Sequence, residues 1–209
     1  MLNYEALEET PLVAAPFAHL IVPNFISKPD VARIAQDFPI LPGAGSHPPA
    51  ALKLTGRFAA LGEELSGSRF REILEKKFEL DLSNRGFMYT VRGEIRHKDG
   101  GVHTDSKSKL ITALLYLNED WSVEGGRLRL LRSADGLDDP FLEIAPIGGT
   151  LLVFRRSDNS WHGHKPYAGK RRTIQINWVE SPAVAAREQR RHSLSTRIKQ
   201  FRRRLGFRA

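Results

Sequence analysis

The chain has 209 residues, 41% of them hydrophobic, with no cysteine. That length suits one compact domain with a sizeable core. Without cysteine there are no disulfides and no thiolate ligands, so any metal must be held by nitrogen and oxygen. The net charge of +8 is confined to one end: residues 183–209 hold nine Lys and Arg against one Glu, leaving 23 residues of each sign in 1–182. No apolar run approaches the roughly 20 residues of a membrane span. The opening residues lack the apolar region of a signal peptide. A soluble, cytoplasmic protein is the expectation.

In chain order, His19–Ile26 reads as a short strand, interrupted by Pro23 and so placed at a sheet edge. Ser27 followed by Pro29 and Asp30 marks a helix start, and Val31, Ile34, Ala35 and Phe38 continue it at helical spacing until Pro39. Residues 43–56 are rich in Gly and Pro and read as a surface loop. A second helical stretch runs from about Phe58 to Phe78, with a break at Ser66-Gly67-Ser68. From Phe87 onward the pattern becomes strands parted by turn residues: Phe87–Ile95, Leu110–Leu117, Arg127–Leu131, Phe141–Ile144, Thr150–Phe154 and Arg172–Glu180. Many short strands after helices predict a mainly β, α+β architecture. The expected form is a double-stranded β-helix, or jelly roll, with the N-terminal helices packed outside one sheet. This domain is expected to occupy residues 1–182, followed by a basic tail at 183–209.

The chemistry concentrates in the strand region. Gly-Val-His103-Thr-Asp105 places an imidazole and a carboxylate two residues apart, which on an extended chain share one face. The later segment Trp161-His162-Gly-His164-Lys-Pro166 follows an apolar strand and returns a third ligand to the mouth of the fold. Two imidazoles and one carboxylate take one face of an octahedral metal and leave three positions open, the pattern of non-haem Fe(II) oxygenases. His162 is read as that third ligand. His164 shares its strand face and competes for the role, or else faces the substrate. His97, flanked by Arg, Lys and Asp, reads as solvated. Arg172-Thr-Ile174-Gln-Ile176-Asn-Trp178 alternates, so if the apolar residues face the core, Arg172 does too and Arg171 faces out. A buried guanidinium needs an anionic partner. An incoming carboxylate fits its planar fork, and a core Asp or Glu is the alternative partner.

These residues resemble the Fe(II)/2-oxoglutarate-dependent dioxygenases, in particular the prolyl-4-hydroxylase-like branch. Beside the triad, Tyr116-Leu117-Asn118 and Gly125-Gly126-Arg127-Leu128 look like that branch's Tyr-Leu-Asn and Gly-Gly-x-Leu motifs. Pro166 and Trp178 match its spacing, and the resemblance covers about residues 87–180. It implies iron on His103, Asp105 and His162, with Arg172 binding the far carboxylate of 2-oxoglutarate. Tyr116 and Leu128 would line the cosubstrate pocket, with Thr112 and Leu114 as neighbours on the face of Tyr116. It implies hydroxylation of a small-molecule or peptide substrate, peptidyl proline among the candidates, with O2 consumed and succinate and CO2 released. Ascorbate is a candidate accessory reductant. A further family tyrosine has only Tyr89 as a counterpart here. Asp105 favours hydroxylation over halogenation, since related halogenases lack that carboxylate.

Two readings from other classes stand beside this one. A cupin-like metal-binding barrel, acting as isomerase or sensor, would use the same triad without 2-oxoglutarate. A nucleic-acid-binding protein would act through the basic tail. There Leu194, Ile198, Phe201 and Leu205 form an apolar helical stripe among Arg197, Lys199, Arg202, Arg203 and Arg204. Such a helix either meets an anionic partner, membrane surface or nucleic acid, or packs its stripe on the protein's own sheet.

Overall fold

A computed structural model describes residues 1–204, with side chains through Phe201. Four helices occupy the first part: α1 (Tyr4–Glu9), α2 (Lys28–Gln36), α3 (Gly56–Leu65) and α4 (Ser68–Phe78). A short strand, β1 (His19–Val22), lies between α1 and α2. Seven strands follow: β2 (Gly86–Ile95), β3 (Lys109–Tyr116), β4 (Leu128–Leu131), β5 (Pro140–Ile144), β6 (Leu151–Arg155), β7 (His162–His164) and β8 (Gly169–Val179). A long helix, α5 (Pro182–Arg204), ends the described chain. No described helix is long and apolar enough to cross a membrane.

The local signals act as their chemistry requires. Ser27 caps α2, its hydroxyl accepting from the Asp30 amide at 3.3 Å, with Pro29 in the first turn. The break between α3 and α4 falls at Ser66 and Gly67. β1 is the edge strand its proline suggested, in a five-stranded sheet of order β1-β6-β3-β8-β2. A three-stranded sheet, β5-β4-β7, faces it, and all the strand pairs are antiparallel. The predicted jelly roll is therefore present.

Both faces of the larger sheet are buried, and they differ. One face carries Val91, Ala113, Leu115, Val153, Ile174, Ile176 and Trp178 against helices α1 to α4, whose Leu7, Ile34, Phe58 and Phe70 complete the main core. The other looks into the space between the sheets. There Leu114, Tyr116, Leu152 and Phe154 meet Leu128, Leu130 and Ile144 of the smaller sheet. This inner face turns polar toward β2 and β8, where Thr90, Arg92, Arg171, Thr173, Gln175 and Asn177 line a cavity of about 600 Å³.

Two segments depart from the sequence expectation. The loop 43–56 is not merely superficial. His47 within it is fully buried, and its backbone bridges Val91 at the edge of β2 (N–O 2.8 and 3.0 Å). The His47 ring meets the Gly43 carbonyl through Nε2 (2.8 Å) and Thr196 of α5 through Nδ1 (2.9 Å). Helix α5 packs on the body through Ala185 at its start and, farther along, with its polar side. Besides Thr196, Lys199 donates to the Ala44 carbonyl (2.6 Å) and Gln200 to that of Ala51 (3.0 Å). Of the two alternatives for the apolar stripe, packing on the sheet does not occur among the described residues: Leu194, Ile198 and Phe201 are 63%, 51% and 63% exposed. Periodicity reports that a helix has two faces; it does not say which one a polar loop will claim. Leu205 and the side chains of Arg202, Arg203 and Arg204 lie outside the described residues.

Candidate active site

His103 and His162 are brought together by backbone. The two residues form an antiparallel bridge, each amide donating to the other's carbonyl at 3.0 and 2.9 Å, so the His103 segment continues the smaller sheet beyond β7. Asp105 follows in extended chain. One ligand atom each from His103, Asp105 and His162 lies within 4.8 Å of the other two. Each imidazole donates from Nδ1 to a carbonyl two residues back: His103 to Gly101 (2.8 Å) and His162 to Ser160 (2.9 Å). That bond fixes the tautomer and leaves both Nε2 lone pairs facing the cluster, the usual orientation for ligating histidines. Burial pushes the His162 pKa down to about 4 against the opposing pull of Asp105, so its ring is neutral at pH 7.

Asp105 is 7% exposed. Burial alone would raise its pKa, but Lys109, His162 and Thr112 outweigh it and hold the carboxyl below the usual range. Lys109 Nζ donates to one oxygen (2.7 Å) and the Thr112 hydroxyl to the other (2.5 Å). Asn177 in turn donates to Thr112 (2.8 Å), so β3 and β8 together orient the carboxylate. Two imidazoles and one carboxylate, with no sulfur, suit Fe(II). Replacing Thr112 with valine removes the bond that aims Asp105. The expected result is a metal affinity about 10- to 100-fold weaker in an Fe(II) titration, the usual effect of losing such a support.

His164 stays outside this cluster. It lines the same cavity, but its Nδ1 is tied to the Lys165 carbonyl (2.9 Å) and its ring lies against Gly100. His97 is exposed, as expected.

The arginines exchange places. Arg172 was expected to point inward with Ile174 and Ile176. Those residues do share its parity, but that parity faces the helices. Arg172 lies over the Phe38 ring (4.5 Å to the centroid) in a shallow cleft with Glu119. Arg171 is the inward one, 5% exposed. Its Nε donates to the Gly126 carbonyl (2.8 Å) and Nη2 reaches the Tyr116 hydroxyl (3.5 Å). Among the described residues no carboxylate stands within ion-pair distance of it. The error has a plain cause: a sheet buried on both faces gives two alternating sets, and apolar character marked the helix side.

Thr112, Leu114 and Leu128 line the cavity as expected, and Tyr116 lies at its Arg171 end. Gly126 has φ +74°, a conformation that favours glycine, and its carbonyl anchors Arg171. Tyr89 takes no part. It faces the helices, and a Cβ on Gly62 would fall 2.5 Å from its hydroxyl. Sequence reasoning missed Arg92, whose signal was its parity with Met88 and Thr90, opposite Tyr89 and Val91. It also missed the wall that Arg187, Glu188, Arg191 and His192 of α5 supply.

Residues 88–180 match the model of the 2OG-Fe(II) oxygenase superfamily. Among curated proteins, none matches the sequence. Among solved structures, a prolyl 4-hydroxylase from Phytophthora capsici aligns with a TM-score of 0.57 and 16% identity, over 88% of this chain and 68% of that one. The viral collagen prolyl hydroxylase of Paramecium bursaria Chlorella virus-1, in its 2-oxoglutarate complex, gives 0.53 and 15%, over 78% and 95%. A prolyl hydroxylase from Trichoplax adhaerens, bound to a peptide of hypoxia inducible factor, gives 0.53 and 18%, over 80% and 86%. At these identities the structures speak for the fold. The superfamily match spans β2 to β8 and includes the His103, Asp105 and His162 cluster, and it weighs against a cupin-like barrel that does without 2-oxoglutarate. Residues 88–180 thus match the 2OG-Fe(II) oxygenase superfamily, a match that implies Fe(II), 2-oxoglutarate and O2, and the chain has the fold of the prolyl 4-hydroxylases.

Proposed function

We propose that the enzyme hydroxylates a carbon of its substrate at a site built from His103, Asp105, His162 and Arg171. His103 and His162 would hold Fe(II) through Nε2, and Asp105 would hold it through one carboxylate oxygen. Arg171 and the Tyr116 hydroxyl would receive the far carboxylate of 2-oxoglutarate. Thr112, Leu114 and Leu128 would line the path between them. Bound Fe(II) supplies the activation of O2, with 2-oxoglutarate oxidised to succinate and CO2. The protein's share is orientation. The Gly126 carbonyl fixes the Arg171 fork, Thr112 aims Asp105, and the two Nδ1 bonds keep each histidine in its ligating tautomer. Arg171 carries the reading: a buried guanidinium without an acid in the same cavity as three convergent ligands calls for an anionic ligand from outside.

For the substrate, peptidyl proline is the class the fold relatives suggest, and a proline-containing peptide is the first compound to assay. The general reading is tested without any substrate. Anaerobic addition of Fe(II) and 2-oxoglutarate should give a weak visible metal-to-ligand charge-transfer band, and air should then release succinate slowly. If neither the band nor succinate appears, the reading fails.

A further inference from the structure

Two guanidiniums of the larger sheet, Arg92 and Arg171, face the cavity, and the far carboxylate of one cosubstrate answers only one of them. The cavity's acids are already engaged: Asp105 with Lys109 (2.7 Å), Glu188 with Arg191 (2.7 Å) and Asp99 with Arg96 (3.1 Å). Arg171 is accounted for by the far carboxylate of 2-oxoglutarate. Arg92 is not. Its only side-chain hydrogen bond is a long one, from Nη1 to Gln175 Oε1 at 3.4 Å, and among the described residues no carboxylate lies within ion-pair distance, Asp99 acting on it only from farther off. Its Nε is sealed from solvent and has no hydrogen-bond partner. The Thr173 hydroxyl, also buried and unpartnered, belongs to the residue directly opposite Arg92 in the β2–β8 register. Only three such orphan atoms occur among the described residues, and these two meet across one strand pair in the cavity. Unsatisfied buried donors are costly, and a positive one most of all, unless a ligand completes them.

We propose that the enzyme's substrate carries an anionic group, carboxylate or phosphate, received by the Arg92 guanidinium and the Thr173 hydroxyl. The cavity walls support this. Arg187 and Arg191 of α5 line the same space around the single Glu188, so an approaching anion still meets a net positive wall there. The inference rests on the proposed 2-oxoglutarate site, because it assigns Arg171 to the cosubstrate and leaves Arg92 over.

Calorimetry on the anaerobic enzyme, loaded with Fe(II) and saturating 2-oxoglutarate, reads this site with Arg171 already engaged. Inorganic phosphate or benzoate should bind one-to-one, and neutral benzamide should not. Which of the two anions binds tells phosphate from carboxylate. Arg92→Gln should weaken that anion at least tenfold, while Arg92→Lys, which keeps the charge, should lose less. Thr173→Val gives a second arm should Arg92→Gln fail to fold, with a smaller loss of about threefold. Three results would overturn the proposal: neither anion binds, benzamide binds as well as benzoate, or Arg92→Gln weakens 2-oxoglutarate rather than the added anion. Failure of the wild-type enzyme to take up Fe(II) and 2-oxoglutarate is a separate result. It is read before any anion is added, and it sinks the reading beneath.

Discussion

His162→Ala is expected to abolish Fe(II) binding and reduce succinate formation to background, whereas His164→Ala keeps the metal. The two rings leave the same strand face, yet they have different commitments. His162 turns Nε2 toward Asp105 and His103 with its other nitrogen tied to Ser160. His164 is held beside Gly100 with its Nδ1 on Lys165. Removing one of three ligands should cost more than the 10- to 100-fold typical of supporting residues. Iron content after anaerobic loading and desalting separates the variants. A metal-free His164→Ala beside a loaded His162→Ala would refute the assignment. His164→Ala should instead alter coupling, seen as succinate formed without product, since its ring lines the cavity.

The second large effect is expected at Arg171. Arg171→Ala leaves the cosubstrate's far carboxylate without its charged partner, a loss of about 2–5 kcal/mol for a buried, hydrogen-bonded pair. The apparent KM for 2-oxoglutarate should rise by about 30-fold or more. Arg172→Ala removes a contact with the Phe38 ring at the molecular surface, worth about 0.5–1 kcal/mol of stability. Its KM for 2-oxoglutarate should stay within about twofold of wild type. Steady-state kinetics in 2-oxoglutarate decide between the neighbours. A large effect at Arg172 with none at Arg171 would reverse the parity and, with it, the proposed pocket.

The contrast shows where the sequence speaks and where it stops. Ser27, the Ser66–Gly67 break and the strand series were legible because capping, turn and alternation signals are local. The His-x-Asp pair and the distal histidine were legible as chemistry, because few arrangements of nitrogen and oxygen donors suit a metal. The inward arginine was not, because Ile174, Ile176 and Trp178 identify an apolar neighbour without saying whether it is a helix layer or a barrel interior. Here the barrel interior beside β8 is the polar side, occupied by Thr173, Gln175 and Asn177. Tyr89 fell to the same ambiguity one strand away. Arg92 was hidden for a different reason, since its significance lies in the partners it lacks, and only a folded neighbourhood reveals those.

The way α5 is fastened sets how the cavity is guarded. At its start, Ala185 is buried with Met88 and Val179 in a small apolar cluster. Farther along, the attachments are hydrogen bonds from Thr196, Lys199 and Gln200 to the 43–56 loop, each worth only about 1 kcal/mol net because water offers nearly equivalent partners. Such a helix is expected to open first from its far end, as a local event separate from unfolding of the barrel. Amide protection should fall along α5 away from Ala185, while β3 and β8 exchange only with global unfolding. On that expectation, the entry of water past the α5 wall of the cavity would be a local equilibrium, adjustable at Thr196, Lys199 and Gln200 without any change to the residues beneath.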